Sequence, residues 1–208
     1  MVGPEGGGKT VLIPKIRKCL EGRGLLVLCT REPGGTPIGG LIRNILTAEE
    51  DIPMESKTET LLFQASRAEL VEKLLRPELK TGKIAVVDRF SDCTLAYQVF
   101  GRGMDRKRVQ ALIDFATDGL TPDLTFWLDL PVEVGLERKR KQGEWNRLDA
   151  VDKEFHERVR LGYETLFNED QVGRMCRIDA DRPLDNVFGE LKDILLQRLL
   201  AAGYLGSI

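Results

Sequence analysis

Histidine is nearly missing from this chain: 208 residues contain one, His156. A single imidazole cannot build a histidine-rich metal centre. His156 lies in a charged stretch with Glu154, Glu157 and Arg158, where a solvated helix residue is the expectation. Cysteine is also scarce. Cys19, Cys29, Cys93 and Cys176 fall at no metal-like or redox-like spacing, which points to reduced packing residues in a cytoplasmic protein. No apolar run approaches the length of a membrane span, and no basic segment followed by an apolar one opens the chain, so neither a membrane anchor nor a secretory signal is expected. Lys plus Arg is 31 against 33 for Asp plus Glu, a net charge of −2. That excludes bulk-charge coating of nucleic acid or an anionic membrane. A guanine-reading N-K-x-D segment is absent, which argues against a GTPase switch. With no repeat, low-complexity tract or linker, one domain over residues 1–208 is expected.

What is present begins at Gly3-Pro4-Glu5-Gly6-Gly7-Gly8-Lys9-Thr10, which fits G-x-x-x-x-G-K-[ST]. Glycines let the backbone curl so that successive N–H groups point at one anion. The helix that follows, with apolar residues at helical spacing over Val11–Leu20, adds the positive end of its dipole. Lys9 then reaches outer phosphates, and the Thr10 hydroxyl is suited to Mg²⁺. Pro14 sits awkwardly inside that helix. Such a loop ordinarily follows a buried strand. Only Met1 and Val2 precede Gly3, so a truncated first strand is expected, and the intact downstream motifs favour a natural chain that starts further upstream.

Downstream, helices and apolar strands alternate, the pattern of an α/β parallel sheet. The run 25–29 reads as a strand buried on both faces. It leads into Thr30-Arg31-Glu32-Pro33-Gly34-Gly35-Thr36, a turn where ligands are held in such sheets, with Arg31 placed for an anion. Helices are expected over 38–46 and 56–75. Phe63 and Arg67 are i and i+4 on the second, so a ring and a guanidinium share a face. The strand 83–89 ends in Asp88-Arg89: an acid at a Walker-B-like position for Mg²⁺, then an arginine suited to phosphate. A helical segment over 94–100 carries Thr94, Tyr97 and Gln98; further helices are expected at 106–117, 152–167 and 185–202, with strands at 124–130 and 177–180. The basic run Arg138-Lys139-Arg140-Lys141 precedes a loop at 143–147, and a mobile basic lid closing on phosphates is a recurring kinase device.

Together these segments resemble the thymidylate kinase family over nearly the whole chain. The resemblance rests on Arg31-Glu32-Pro33-Gly34-Gly35-Thr36, Leu62-Phe63-Gln64-Ala65-Ser66-Arg67, Asp88-Arg89-Phe90 with Thr94-Leu95-Ala96-Tyr97-Gln98, and Pro122-Asp123-Leu124-Thr125. It implies a three-layer P-loop kinase fold, its parallel sheet flanked by helices. It implies phosphorylation of dTMP to dTDP by ATP with Mg²⁺, and a homodimer joined through helices, those from Ser56 and Arg106 being candidates. Phe63 would stack on thymine, Arg67 would bond a carbonyl edge, and Gln98 and Thr94 other polar edges. Tyr97 would sit against the deoxyribose and disfavour a 2′-hydroxyl. Arg31 and Arg89 would hold the dTMP phosphate beside Pro33. Glu5 would contact the sugar or the metal shell. Gly3, Pro4, Gly6, Gly7, Gly8, Lys9 and Thr10 would cradle ATP, Arg138 would pack on adenine near the Asp179-Ala180 turn, and Thr10 and Asp88 would serve the metal.

The phosphate loop carries no arginine at its variable positions, so the resemblance places the catalytic cation in a lid at about 138–150. There Gln142 stands where arginine is common in the family, leaving Arg140 or Arg147 as the substitute. Asn146 stands where an acid is usual. The alternatives are a related kinase of another pyrimidine deoxynucleotide or a deoxynucleoside, and a catalytically weak relative.

Overall fold

The computed structural model describes residues 1–48, 53–141, 143 and 151–205. Helix α1 (Lys9–Glu21) leads to strand β1 (Val27–Arg31) and α2 (Pro37–Thr47). The next helix, α3 (Ser56–Leu70), passes through a π-helical stretch, Val71–Leu75, into α4 (Arg76–Lys80). Then come β2 (Ile84–Asp88), α5 (Ser91–Thr94) continued by a π segment Leu95–Gly101, and α6 (Arg106–Thr117). Strand β3 (Thr125–Asp129), α7 (Val132–Lys141), α8 (Lys153–Glu169), β4 (Met175–Asp179) and α9 (Leu184–Ala201) complete the order.

Strands β2 and β3 are short, mostly apolar runs that end in Asp88 and Asp129, and β3 is buried along its whole length, as a strand covered on both faces requires; β1 and β4 are more polar, with Thr30 and Arg31 in one and Arg177 and Asp179 in the other. β1 pairs with β2 in parallel and in register from Val27↔Ile84 to Arg31↔Asp88; β3 pairs with β4 from Thr125↔Met175 to Asp129↔Asp179. The start of the chain lies between the two pairs. Arg89 N–H donates to Met1 O at 2.8 Å, Val2 N–H to Phe126 O at 2.8 Å, and Leu128 N–H to Val2 O at 3.0 Å. The loop after Val2 therefore leaves the sheet from between β2 and β3.

Side chains of β3 divide the core. Phe126 and Leu128 point to a layer with Leu12 and Ile16 of α1 and Val187 and Leu191 of α9. Trp127 points the other way, into a layer with Tyr97, Ile113 of α6 and Phe155 and Tyr163 of α8. A smaller cluster joins Leu70, Val71, Leu75 and Phe90 beneath β1 and β2. This is the three-layer α/β arrangement.

Three expectations need correction or extension. His156 is 3% exposed rather than solvated: α8 lays it, with Phe155, Val159 and Tyr163, on the face that packs toward the π segment. The expected 56–75 helix widens into a π turn at Val71. Pro14 stays inside α1 without ending it, its ring exposed to solvent. All four cysteines are free. Among the described residues no helix is long and apolar enough to cross a membrane.

Candidate active site

The phosphate loop closes against α1 and α7. Gly8 caps α1 at φ +86°, and Val11 and Leu12 N–H groups return to its carbonyl. Gly6 has φ +69°, and a Cβ there would meet the Gly135 carbonyl oxygen at 2.3 Å. The contact is mutual: a Cβ on Gly135 would meet the Glu5 oxygen at 2.5 Å. Two glycines remote in sequence thus let the loop lie directly on the first turn of α7. Lys9 is buried and folds back, its Nζ donating to the carbonyls of Gly3 (3.2 Å) and Pro4 (2.8 Å). Burial pushes the Lys9 ammonium pKa down, and Arg89 nearby pushes it the same way. An anion at the loop would relieve both effects.

A cleft of about 400 Å³ opens in front of the loop. It brings together Glu5, Gly6, Gly7, Gly8, Lys9 and Thr10 of the loop with Arg31, Pro33, Phe63 and Arg67. Asp88, Arg89, Thr94, Tyr97 and Gln98 complete the expected set that lines it. Gly3 and Pro4 sit behind the loop instead, buried, with their carbonyls on Lys9. Arg138 lies outside the cleft, its guanidinium donating to Ala180 O and Asp181 Oδ1, both at 2.9 Å, so it does border the 179–180 turn. Arg140 is exposed on α7 and does not line the cleft. Arg147, Gln142 and Asn146 lie outside the described residues.

At the end of β2 the chain turns sharply. Arg89 takes φ +68°, a region that favours glycine, and is held there by its contacts. Its guanidinium pairs with Glu5, donates to Tyr97 Oη at 3.3 Å, and lies 5.4 Å from the Tyr97 ring centre. Burial alone would raise the Glu5 carboxyl, but Arg89, Lys9 and Lys139 outweigh it and hold its pKa at about 2. Burial likewise opposes the Arg89 charge, and Glu5 overcomes it. The Tyr97 phenol is pushed up by burial. Asp88 Oδ1 is buried without a hydrogen-bond partner. A carboxylate oxygen left bare at the mouth of a phosphate loop fits a hydrated magnesium ion, whose other ligands come from phosphates and water. Among the described residues no group of three or more His, Cys, Asp or Glu side chains forms a protein-only metal cage.

The deeper end of the cleft is a buried polar network. Arg67, 2% exposed, gives Nε and Nη2 to Glu32 and Nη1 to Gln64 Oε1 (3.0 Å) and Thr94 Oγ1 (2.9 Å). Phe63 lines the cleft beside it. Sequence reasoning missed Glu32 as a partner, together with Arg43, Thr47, Cys93 and Lys139 on the lining. Arg43 had a signal: it is the only charged residue in α2. It donates to Pro33 O at 3.2 Å, and burial, then Arg31 and Arg89, press its pKa down. Apart from the Arg67–Glu32 pair, Lys9, Arg31, Arg43, Arg89 and Lys139 face the carboxylates Glu5 and Asp88. The cleft is therefore built for anions at one end and a flat, hydrogen-bonding group at the other.

The thymidylate kinase family model matches residues 2–191. The chain belongs to the thymidylate kinase family. It is 42% identical over 195 residues to thymidylate kinase of Clostridium novyi (strain NT), covering 93% of this chain and 95% of that protein. It is 39% identical over 201 residues to thymidylate kinase of Exiguobacterium sp. (strain ATCC BAA-1283 / AT1b), covering 97% and 94%. Membership of the thymidylate kinase family makes this protein a nucleoside monophosphate kinase, a phosphotransferase. The matched span runs from the phosphate loop into α9 and so contains every residue that lines the cleft.

Proposed function

We propose that this protein transfers the γ-phosphoryl group of ATP to dTMP, giving dTDP and ADP, with the two substrates meeting inside the one cleft. The observation that carries this reading is the joining of a phosphate loop to a buried Arg67–Gln64–Thr94–Gln98 pocket through a row of arginines. ATP lies with its phosphates on the loop, Lys9 leaving the carbonyls of Gly3 and Pro4 to meet them. Mg²⁺, when bound near Thr10 and Asp88, supplies charge neutralisation across the outer phosphates. Phe63 stacks on the thymine, and Arg67 and Gln98 read its edge. Tyr97, bridged to Glu5 through Arg89, packs on the deoxyribose where a 2′-hydroxyl would crowd it. Arg31, Arg43 and Arg89 hold the acceptor phosphate.

Phosphoryl transfer asks the protein for alignment and charge neutralisation. A dTMP phosphate oxygen, already ionised near neutral pH, attacks the γ-phosphorus in line. The bond to the β,γ-bridging oxygen breaks, and that oxygen leaves on ADP. No protein general base is needed, and the cations of the cleft offset the repulsion between two anionic substrates. The basic end of α7 serves as a lid on ATP, with Arg138 against the adenine and Arg140 toward the phosphates; Arg147, the alternative to Arg140, lies outside the described residues.

The reading includes a homodimer and a single domain over the chain, acting in the cytoplasm, where the free thiols stay reduced. Leu41 and Ile45 of α2, Leu61 of α3 and Phe115 of α6 are exposed apolar side chains on helices that pack side by side, and they support a helix-mediated interface. Incubation with ATP, Mg²⁺ and dTMP, with products separated by chromatography, tests the reaction. Equal amounts of dTDP and ADP are expected, and ATP hydrolysis without dTDP contradicts it.

A further inference from the structure

The base end of the cleft rests on a second buried carboxylate. Glu59 on α3 is 1% exposed and does not itself line the cleft. It lies under Gln98, whose Nε2 donates to Glu59 Oε1 at 3.2 Å. On its other side Arg102 grips the same carboxylate, with Nε 3.3 Å from Oε1 and Nη2 3.0 Å from Oε2. Arg102 is itself fixed, its guanidinium 4.6 Å from the centre of the Phe155 ring. Glu59 is therefore an ion-paired carboxylate held in one place.

An ionised carboxylate only accepts hydrogen bonds, so the amide atom facing it has to be the Gln98 nitrogen. The flipped amide would set two acceptors against each other. Glu59 thus leaves Gln98 Oε1 for the cleft, and among the described residues no donor meets that oxygen. Arg67 lines the same cleft, fixed by Glu32, Gln64 and Thr94, and can only donate, with one Nη2 hydrogen left over from those bonds. The pocket wall presents a fixed acceptor and a fixed donor. A pyrimidine with a ring N–H beside a carbonyl complements that order. One with a bare ring nitrogen beside an amino group opposes it at both positions.

We propose that Glu59 is a positioning residue that orients the Gln98 amide and so makes the acceptor pocket select thymine-type over cytosine-type monophosphates. The inference rests on the dTMP kinase reading of this pocket. Glu59 has no contact with substrate; it acts through Gln98.

The test is the ratio of kcat/KM for dTMP to that for dCMP in the wild type, Glu59→Gln and Arg102→Lys. A glutamine at 59 can donate or accept, so Gln98 loses its single orientation, and the ratio falls by about tenfold or more. Arg102→Lys keeps a cation on the Glu59 carboxylate, so the carboxylate stays ionised and the ratio is kept. If Glu59→Gln lowers turnover of both substrates in equal proportion, Glu59 is only structural and the proposal is overturned. A wild type indifferent between dTMP and dCMP overturns the dTMP reading along with it; a selective wild type with an equally selective Glu59→Gln variant overturns the role of Glu59 alone. Should Glu59→Gln fail to fold, nuclear magnetic resonance of the wild type decides. The Gln98 side-chain amide protons are expected to resist exchange with solvent before dTMP is added and to stay protected after it. Free exchange without dTMP contradicts the proposal.

Discussion

Glu32, in the loop after β1, meets Arg67 of α3 through Oε2 at 2.9 Å from Nε and 2.6 Å from Nη2, with both side chains sealed from water. The pair joins the turn that carries Arg31 to the helix that carries Phe63, so the phosphate end and the base end of the acceptor site share one fixed point. Leaving Arg67 charged and uncompensated in that setting costs about 3–5 kcal/mol. Glu32→Gln keeps the shape and removes the charge. A lower denaturation midpoint is expected, with KM for dTMP rising more than kcat falls; urea unfolding and steady-state kinetics measure the two effects.

Gly135 stands outside the phosphate-loop motif, yet a Cβ there would enter the Glu5 carbonyl at 2.5 Å. Gly135→Ala has to push the loop off α7. Overpacking of this kind costs about 1–3 kcal/mol, and here the displaced group is the cradle for ATP. A rise in KM for ATP larger than the rise for dTMP is expected. Kinetic constants for the two substrates that are unchanged would show that the loop absorbs the methyl group without moving.

The Glu5 carboxyl is held at about 2 against an ordinary value of 4.5. A depressed folded-state pKa contributes stability above the unfolded value and loses it as pH falls through the folded one. The contribution from Glu5 is thus complete above pH 4.5 and disappears between 4.5 and about 2. Partial exposure of the pair leaves about 2 kcal/mol of it. Chemical denaturation across this range should show a steeper acid loss in the wild type than in Glu5→Gln.

Arg89 combines a left-handed backbone with a guanidinium shared among Glu5, Tyr97 and the Gly3 carbonyl at 3.3 Å. Lysine carries the charge but lacks the planar fork. Arg89→Lys is expected to lower kcat/KM for dTMP by about a hundredfold, with a smaller effect on ATP binding measured by calorimetry. Equal losses for both substrates would show that Arg89 serves the donor as much as the acceptor, and a larger loss for ATP would place it at the donor.

Much of this architecture was legible because its signals are local. The runs Ile84–Asp88 and Thr125–Asp129 are apolar, short and bounded by turns; α6 occupies the bounds its pattern predicts. The phosphate loop, Arg31 and Asp88 follow from motif and position, Phe63 and Arg67 from the resemblance to the thymidylate kinase family, and the fold gathers all of them around one cleft. What stayed hidden depends on contacts distant in sequence. Glu32 and Arg67 are 35 residues apart, and Glu59 and Gln98 are 39 apart; no spacing rule links them. Gly135 gave no sign that its missing Cβ makes room for Glu5. His156 looked solvated because its sequence neighbours are charged, but a helix buries one face whatever flanks it. Arg43 was passed over as one cation on an amphipathic helix, although its isolation there was a hint.

The central claim is that one cleft joins a phosphate loop to a pocket for a phosphorylated thymine. The measurement that tests it most directly is ATP consumption by the protein with dTMP, dUMP, dCMP, dGMP and thymidine in parallel. The account predicts the highest kcat/KM for dTMP, with dCMP and dGMP far behind and thymidine inert, since it lacks the phosphate that Arg31 and Arg89 would hold. Preference for thymidine over dTMP, or equal turnover of all the monophosphates, would contradict it.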